Sequence, residues 1–132
     1  MNAAGQREIR ILHVDDDRQI RLLMAGALPE FGYEVLTAGT VKEALHLASG
    51  INFDLFILDV RLPDGNGVEL CQLLRRLQPS APIIYYSGYA DPASVKEALA
   101  VCGDAYLQKP ISITEWGKKI AEILEAKPNR GS

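Results

Sequence analysis

The sequence has little of several things, and each scarcity removes a class of protein. No apolar run approaches the roughly 20 residues that a membrane-spanning helix needs, so no transmembrane segment is expected. The first eight residues, Met1 to Glu8, lack the apolar stretch of a secretory signal. Basic residues are in the minority, 14 Lys and Arg against 17 Asp and Glu, for a net charge of −3 and a pI near 5.4. A chain so balanced has no basic field for a polyphosphate backbone, and direct contact with nucleic acid is not expected. There are only two cysteines, Cys71 and Cys102, far apart and each in a helix-like pattern. They read as buried free thiols of a protein kept in a reducing cytosol. Histidine is as scarce. His13 falls inside a strand pattern and reads as a satisfied core residue, and His46 as a solvent-side helix residue. Internal repeats and low-complexity segments are absent. What remains, 132 residues with 48% hydrophobic and 23% charged, suits one globular domain with a single sizeable core.

The rest of the chain is organised around Leu55-Phe56-Ile57-Leu58-Asp59-Val60-Arg61-Leu62-Pro63-Asp64-Gly65. A buried strand ends on a carboxylate, and a Pro-Asp-Gly turn then breaks the backbone. Such a carboxylate sits at the rim of a sheet, where it either presents a reactive group or merely caps the strand end.

In chain order, Ile9–Val14 is strand one, ending in Asp15-Asp16-Asp17. Asp17 suits the cap of helix one, expected from Asp17 to about Phe31. A helix cap explains one Asp, or two, but not three adjacent ones; a divalent cation does. Tyr33–Ala38 is strand two, and Thr40 with Glu43 forms a capping-box spacing at the start of helix two, which Gly50 ends. Phe53–Leu58 is strand three. Helix three opens at Asn66-Gly67 and closes before Pro79. Pro82–Tyr86 is strand four, followed by Ser87-Gly88. Asp91-Pro92 opens helix four and Gly103 stops it. Ala105–Gln108 is strand five, followed by Lys109-Pro110, and Thr114 to about Ala126 is helix five, with Trp116 on it, away from the other polar residues named here. Residues 1–8 read as an N-terminal extension, 9–126 as the domain, and 127–132 as a frayed tail.

Strands and helices alternate five times, which predicts an α/β fold: a doubly wound, five-stranded parallel sheet with helices on both faces. Ligands of such sheets bind at the carboxyl ends of the strands. Asp15, Asp16, Asp59, Ser87 and Lys109 all fall at that edge, from four strands. Together they suit phosphoryl transfer to a carboxylate. Asp59 is the nucleophile, and a cation at Asp15 and Asp16 offsets phosphoryl charge. Lys109 and Ser87 bind phosphoryl oxygens, and Gly88 lets the backbone approach.

These residues resemble the receiver domain of two-component response regulators, the CheY-like family, over about Arg7 to Ala126. The resemblance is carried by Val14-Asp15-Asp16-Asp17, by Leu58-Asp59 through Asn66-Gly67, by Ser87-Gly88 and by Lys109-Pro110. It implies the flavodoxin-like strand order 2-1-3-4-5. It implies a phosphoryl group accepted on Asp59 from a histidine kinase or histidine phosphotransfer protein. It also implies Mg²⁺ bound by Asp16 and Asp59 directly, by Asp15 through water and by the backbone carbonyl of Arg61, and a cis bond at Lys109-Pro110. Ser87 and Tyr106 correspond to the switch pair, which alters the surface of helix four, strand five and helix five for a protein partner or a homodimer. Tyr106 is otherwise a half-buried strand aromatic. Arg61 and Tyr89 flank the site and are expected to set phosphoryl lifetime. Ser87 stands where threonine is commoner, and Ile111 where phenylalanine is. The implied protein is a cytoplasmic phosphoprotein of a phosphorelay, not an enzyme, although it assists its own Mg²⁺-dependent phosphorylation and dephosphorylation. It is either stand-alone or part of a larger regulator or hybrid kinase. A haloacid-dehalogenase-type phosphohydrolase fits poorly, because Arg61 stands where its second Asp belongs. A flavodoxin-like cofactor module fits poorly because an acidic block follows strand one.

Overall fold

The structure is a computed structural model, and it describes residues 7–88 and 91–126. Five strands form one parallel sheet: β1 (Ile9–Val14), β2 (Tyr33–Ala38), β3 (Leu55–Leu58), β4 (Ile83–Ser87) and β5 (Ala105–Gln108). Their order is β2-β1-β3-β4-β5, as expected. β3 and β4 are buried along their whole length, which is why they read as unbroken apolar runs rather than alternating ones. The register sets His13 beside Thr37 on one side and Ile57 on the other.

Each connecting helix starts at a side-chain cap. In α1 (Arg18–Ala27) the Asp17 carboxylate accepts from the N–H groups of Gln19 and Ile20. Thr40 and Asn66 do the same for α2 (Val41–Gly50) and α3 (Gly67–Leu77). Asp91 caps α4 (Pro92–Val101), with proline at its first position, and Ser112 caps α5 (Ile113–Glu125). Helix one is shorter than expected. Pro29 has no N–H to continue an α-helical ladder, so Leu28–Phe31 tightens into a 3₁₀ turn, closed by Gly32 at φ 92°. Strand three starts at Leu55 rather than Phe53, and strand four runs on to Ser87. A small antiparallel hairpin, Arg61–Leu62 with Gly65–Asn66, was not anticipated.

The sheet has a core on each face. α2, α3 and α4 cover one, around Phe56, Leu70, Leu74 and Ile83; α1 and α5 cover the other, around Ile11, Met24, Ile57, Trp116 and Ile120. Each fully buried Leu, Ile or Met contributes about 1.5–3 kcal/mol.

The expectation of two free thiols is wrong. Cys71 of α3 and Cys102, which caps α4, form a disulfide with their Cα atoms 6.1 Å apart. The sequence separation of 31 concealed this, because consecutive right-handed crossovers lay α3 and α4 side by side on one face. The cysteines therefore give no ground for a reducing compartment. Among the described residues, no helix is long and apolar enough to cross a membrane.

Candidate functional site

Backbone hydrogen bonds of the sheet continue just past the strands and fix the residues that follow. Asp15 donates its N–H to Ala38, Asp59 donates to Val14, and Lys109 donates to Ser87, at 2.9–3.0 Å. Four sequence-distant residues are thereby held at one edge. Asp15, Asp59 and Ser87 are buried, whereas Asp16 is exposed. Carboxylate oxygens of Asp15, Asp16 and Asp59 lie within 4.8 Å of one another. The Lys109 ammonium donates to Asp59 Oδ2 at 2.9 Å. It also forms an ion pair with Asp15 Oδ2 at 2.7 Å. Asp59 Oδ1 accepts from the Arg61 N–H at 3.3 Å. Asp15 Oδ1 accepts from the Asp17 N–H, and the Arg21 guanidinium donates to the Asp15 carbonyl. The Lys109–Pro110 bond is cis.

The loop after Asp59 folds back tightly. The Gly67 N–H donates to the Val60 carbonyl at 2.7 Å, and a Cβ at residue 67 would collide with the Asp59 carbonyl. Glycine is required there by close approach. Gly88 is under no such constraint, because a Cβ there would meet open space. An open concavity of about 430 Å³ is lined by Asp16, Asp59, Arg61, Ser87 and Gly88.

The electrostatics are unbalanced. Three carboxylates face one ammonium. Burial pushes the Asp15 carboxyl up, and its bonds to Lys109 and to the Asp17 N–H offset only part of this. Burial disfavours the Lys109 ammonium too, but Asp15 and Asp59 outweigh it and hold its pKa above the ordinary lysine value. A buried surplus of carboxylate oxygens, with one exposed member, is the donor set a hard divalent cation takes, so Asp15, Asp16 and Asp59 fit Mg²⁺.

Two residues differ from expectation. His13 is buried as expected but not satisfied: neither ring nitrogen has a hydrogen-bond partner. Burial, then the nearby Lys109 charge, lowers its pKa to about 3, so the ring is neutral. Trp116 is nearer the site than the sequence suggested. It meets Tyr86 edge-on at 4.8 Å, and the Lys109 ammonium lies 5.6 Å from the same tyrosine ring.

Tyr106 is half-buried, packs against Tyr85 with ring centres 5.5 Å apart, and interacts through its hydroxyl with Ser87. The Arg61 side chain is exposed at the rim of the concavity, and Tyr89 lies outside the described residues. Sequence reading missed Asp64. Its carboxylate accepts from the Val41 and Lys42 N–H groups, joining the loop after Asp59 to the start of α2. Only the turn-forming Pro-Asp-Gly context hinted that Asp64 would bond backbone, and it named no partner.

This arrangement, on this fold, is that of a signalling receiver domain. Residues 11–121 match the model of the response regulator receiver domain, and the chain belongs to that family. It is 35% identical over 122 residues to the nisin biosynthesis regulatory protein NisR of Lactococcus lactis, covering 92% of this chain and 53% of that protein. The chain thus spans about half the length of such curated relatives. Among solved structures it resembles a CheY-like receiver domain protein of Methanospirillum hungatei, with TM-score 0.86, 35% identity and coverage of 92% and 97% of the two chains. It also resembles a Burkholderia pseudomallei response regulator solved with a phosphorylated aspartic acid and a calcium ion, with TM-score 0.78, 29% identity and coverage of 92% and 76%.

Proposed function

We propose that this receiver domain accepts a phosphoryl group on Asp59 from the phosphohistidine of a kinase or phosphotransfer protein. An Asp59 oxygen bonds to phosphorus as the phosphorus–nitrogen bond of the donor breaks, and the electron pair returns to the imidazole, which takes up a proton. The observation that carries the reading is the place of Asp59. Its carboxylate lines an open concavity and is held from behind by Lys109 at 2.9 Å. Lys109 then pairs with a phosphoryl oxygen, and the Ser87 hydroxyl donates to another. Asp16, Asp59 and the Arg61 carbonyl are assigned to Mg²⁺ directly and Asp15 through water; the ion supplies positive charge against the phosphoryl oxygens. The phosphorylated relative from Burkholderia pseudomallei supports the same assignment.

The output is assigned to α4, β5 and α5. The Tyr106–Ser87 contact supports this: drawing Ser87 toward the phosphoryl group changes what Tyr106 touches, and β5 carries the change to both helices. A protein partner or a second copy then reads that face. Arg61 at the rim admits or shields water, so Arg61→Ala changes the phosphoryl lifetime, measured as loss of label over time; an unchanged rate overturns that role.

The test is incubation with acetyl phosphate, with and without Mg²⁺, followed by intact mass. Mg²⁺-dependent gain of one phosphoryl group by the wild type, and none by Asp59→Asn, is expected. Equal labelling of Asp59→Asn overturns the assignment. So does the absence of both labelling and beryllofluoride binding under conditions that label another receiver.

A further inference from the structure

His13 lies near the C-terminal end of β1, between β2 and β3, and it shares a face with Ile11 and Asp15 by strand alternation. The core on that face is built from Ile11, Met24, Leu28, Ile57, Trp116 and similar apolar residues. A ring with both nitrogens unpartnered is costly there, about 1–3 kcal/mol for a buried polar group left unsatisfied. Packing alone would favour an apolar residue. One polar atom faces the ring: His13 Nε2 lies 3.9 Å from Asp15 Oδ2, and both side chains are fully buried. In this state the Lys109 ammonium, 2.7 Å away, is the partner of Asp15 Oδ2. A ring nitrogen without a partner therefore faces, about 1 Å beyond hydrogen-bonding distance, an acceptor whose partner in this state is Lys109.

Lys109 is shared between Asp15 and Asp59 in this state. On the reading that Asp59 is phosphorylated, the ammonium turns to a phosphoryl oxygen and Asp15 Oδ2 loses its cation. We propose that His13 is a positioning residue which donates its Nε2–H to Asp15 when Lys109 is drawn away, and so keeps that carboxylate aimed at the cation side of the site. It contacts neither phosphoryl group nor metal. Its polar ring is unsatisfied in the resting form because its bond belongs to the activated one.

The experiment compares wild type, His13→Leu and His13→Asn. Mg²⁺ and beryllofluoride, the latter standing for the phosphoryl group, are titrated against each by calorimetry, and the thermal midpoint of each ligand-free protein is recorded. His13→Leu is expected to be as stable as wild type or more so, yet to bind the Mg²⁺–beryllofluoride pair roughly ten- to a hundredfold more weakly, the usual effect of losing an outer partner of a ligand. His13→Asn, which retains an N–H donor, recovers part of that loss. A core-filling role would move the midpoint and leave the affinity alone. Wild-type affinity in His13→Leu overturns the proposal. Nitrogen-15 spectra of the wild type give an answer independent of how the variants fold: a slowly exchanging His13 Nε2–H that emerges only with beryllofluoride is expected, and its absence counts equally against the role. Failure of the wild type itself to bind the pair, or binding by Asp59→Asn, overturns the phosphoacceptor reading instead.

Discussion

Asp15 shows how a single buried charge is tolerated. Its carboxyl is raised by burial, so the folded chain holds a proton more tightly than the unfolded chain, where the usual value is 3.8. The sign follows from linkage. Asp15 does not oppose folding below that value, and its cost grows as the pH rises through its raised folded value and stays in full above it. Asp15→Asn should therefore stabilise the ligand-free domain at pH 7 while weakening Mg²⁺ binding. Thermal unfolding in chelator checks this, and a lower midpoint would contradict it. Asp64 has the opposite sign. Bonds from the Val41 and Lys42 N–H groups hold its carboxyl below the usual 3.8, so its stabilising effect is present above that value and fades as the pH falls through the lower folded value. The midpoint gap between wild type and Asp64→Ala should be open at pH 6 and close on acidification below about 4. A gap that does not change with pH would assign the effect to something other than the carboxylate.

The helices add constraints that one sequence does not display. The disulfide joins α3 to the end of α4 across a 31-residue separation. By loop-closure entropy, its reduction should cost about 3–4 kcal/mol. Denaturant unfolding with and without a thiol reductant, beside a Cys71→Ala/Cys102→Ala protein, measures it, and superimposable curves would reject it. Helical periodicity places each cysteine on an inward face, but only the packing of α3 beside α4 brings those faces together. The same limit applies elsewhere. Capping at Asp17, Thr40, Asn66 and Asp91 was legible because cap and helix are adjacent in sequence. The bond from Asp64 to α2 and the orphaned ring of His13 were not, because their neighbours lie 22 or more residues away or are silent. Helix one's early end was marked by Pro29, yet the pattern of Leu28 and Phe31 beyond it concealed the change to a tighter turn.

At the scale of the molecule, alternating strands and helices made both the sheet and the edge holding Asp15, Asp16, Asp59, Ser87 and Lys109 readable, since parallel topology sends every strand end the same way. Filling that edge with a cation should stabilise the whole domain. Mg²⁺ at a hundred times its dissociation constant adds about 2.7 kcal/mol, seen as a rise in thermal midpoint that Asp16→Ala reduces; a midpoint indifferent to Mg²⁺ would argue against the site. The order of strands has one more effect. The three carboxylates belong to the first half of the chain, whereas Lys109 follows β5, an edge strand whose sheet neighbour is β4 alone. A chain emerging from the ribosome thus displays the negative half of the site well before its counter-charge. Only when the last strand docks do the carboxylates gain their ammonium, so on the proposed function a chain halted before β5 lacks a group that phosphoryl transfer needs.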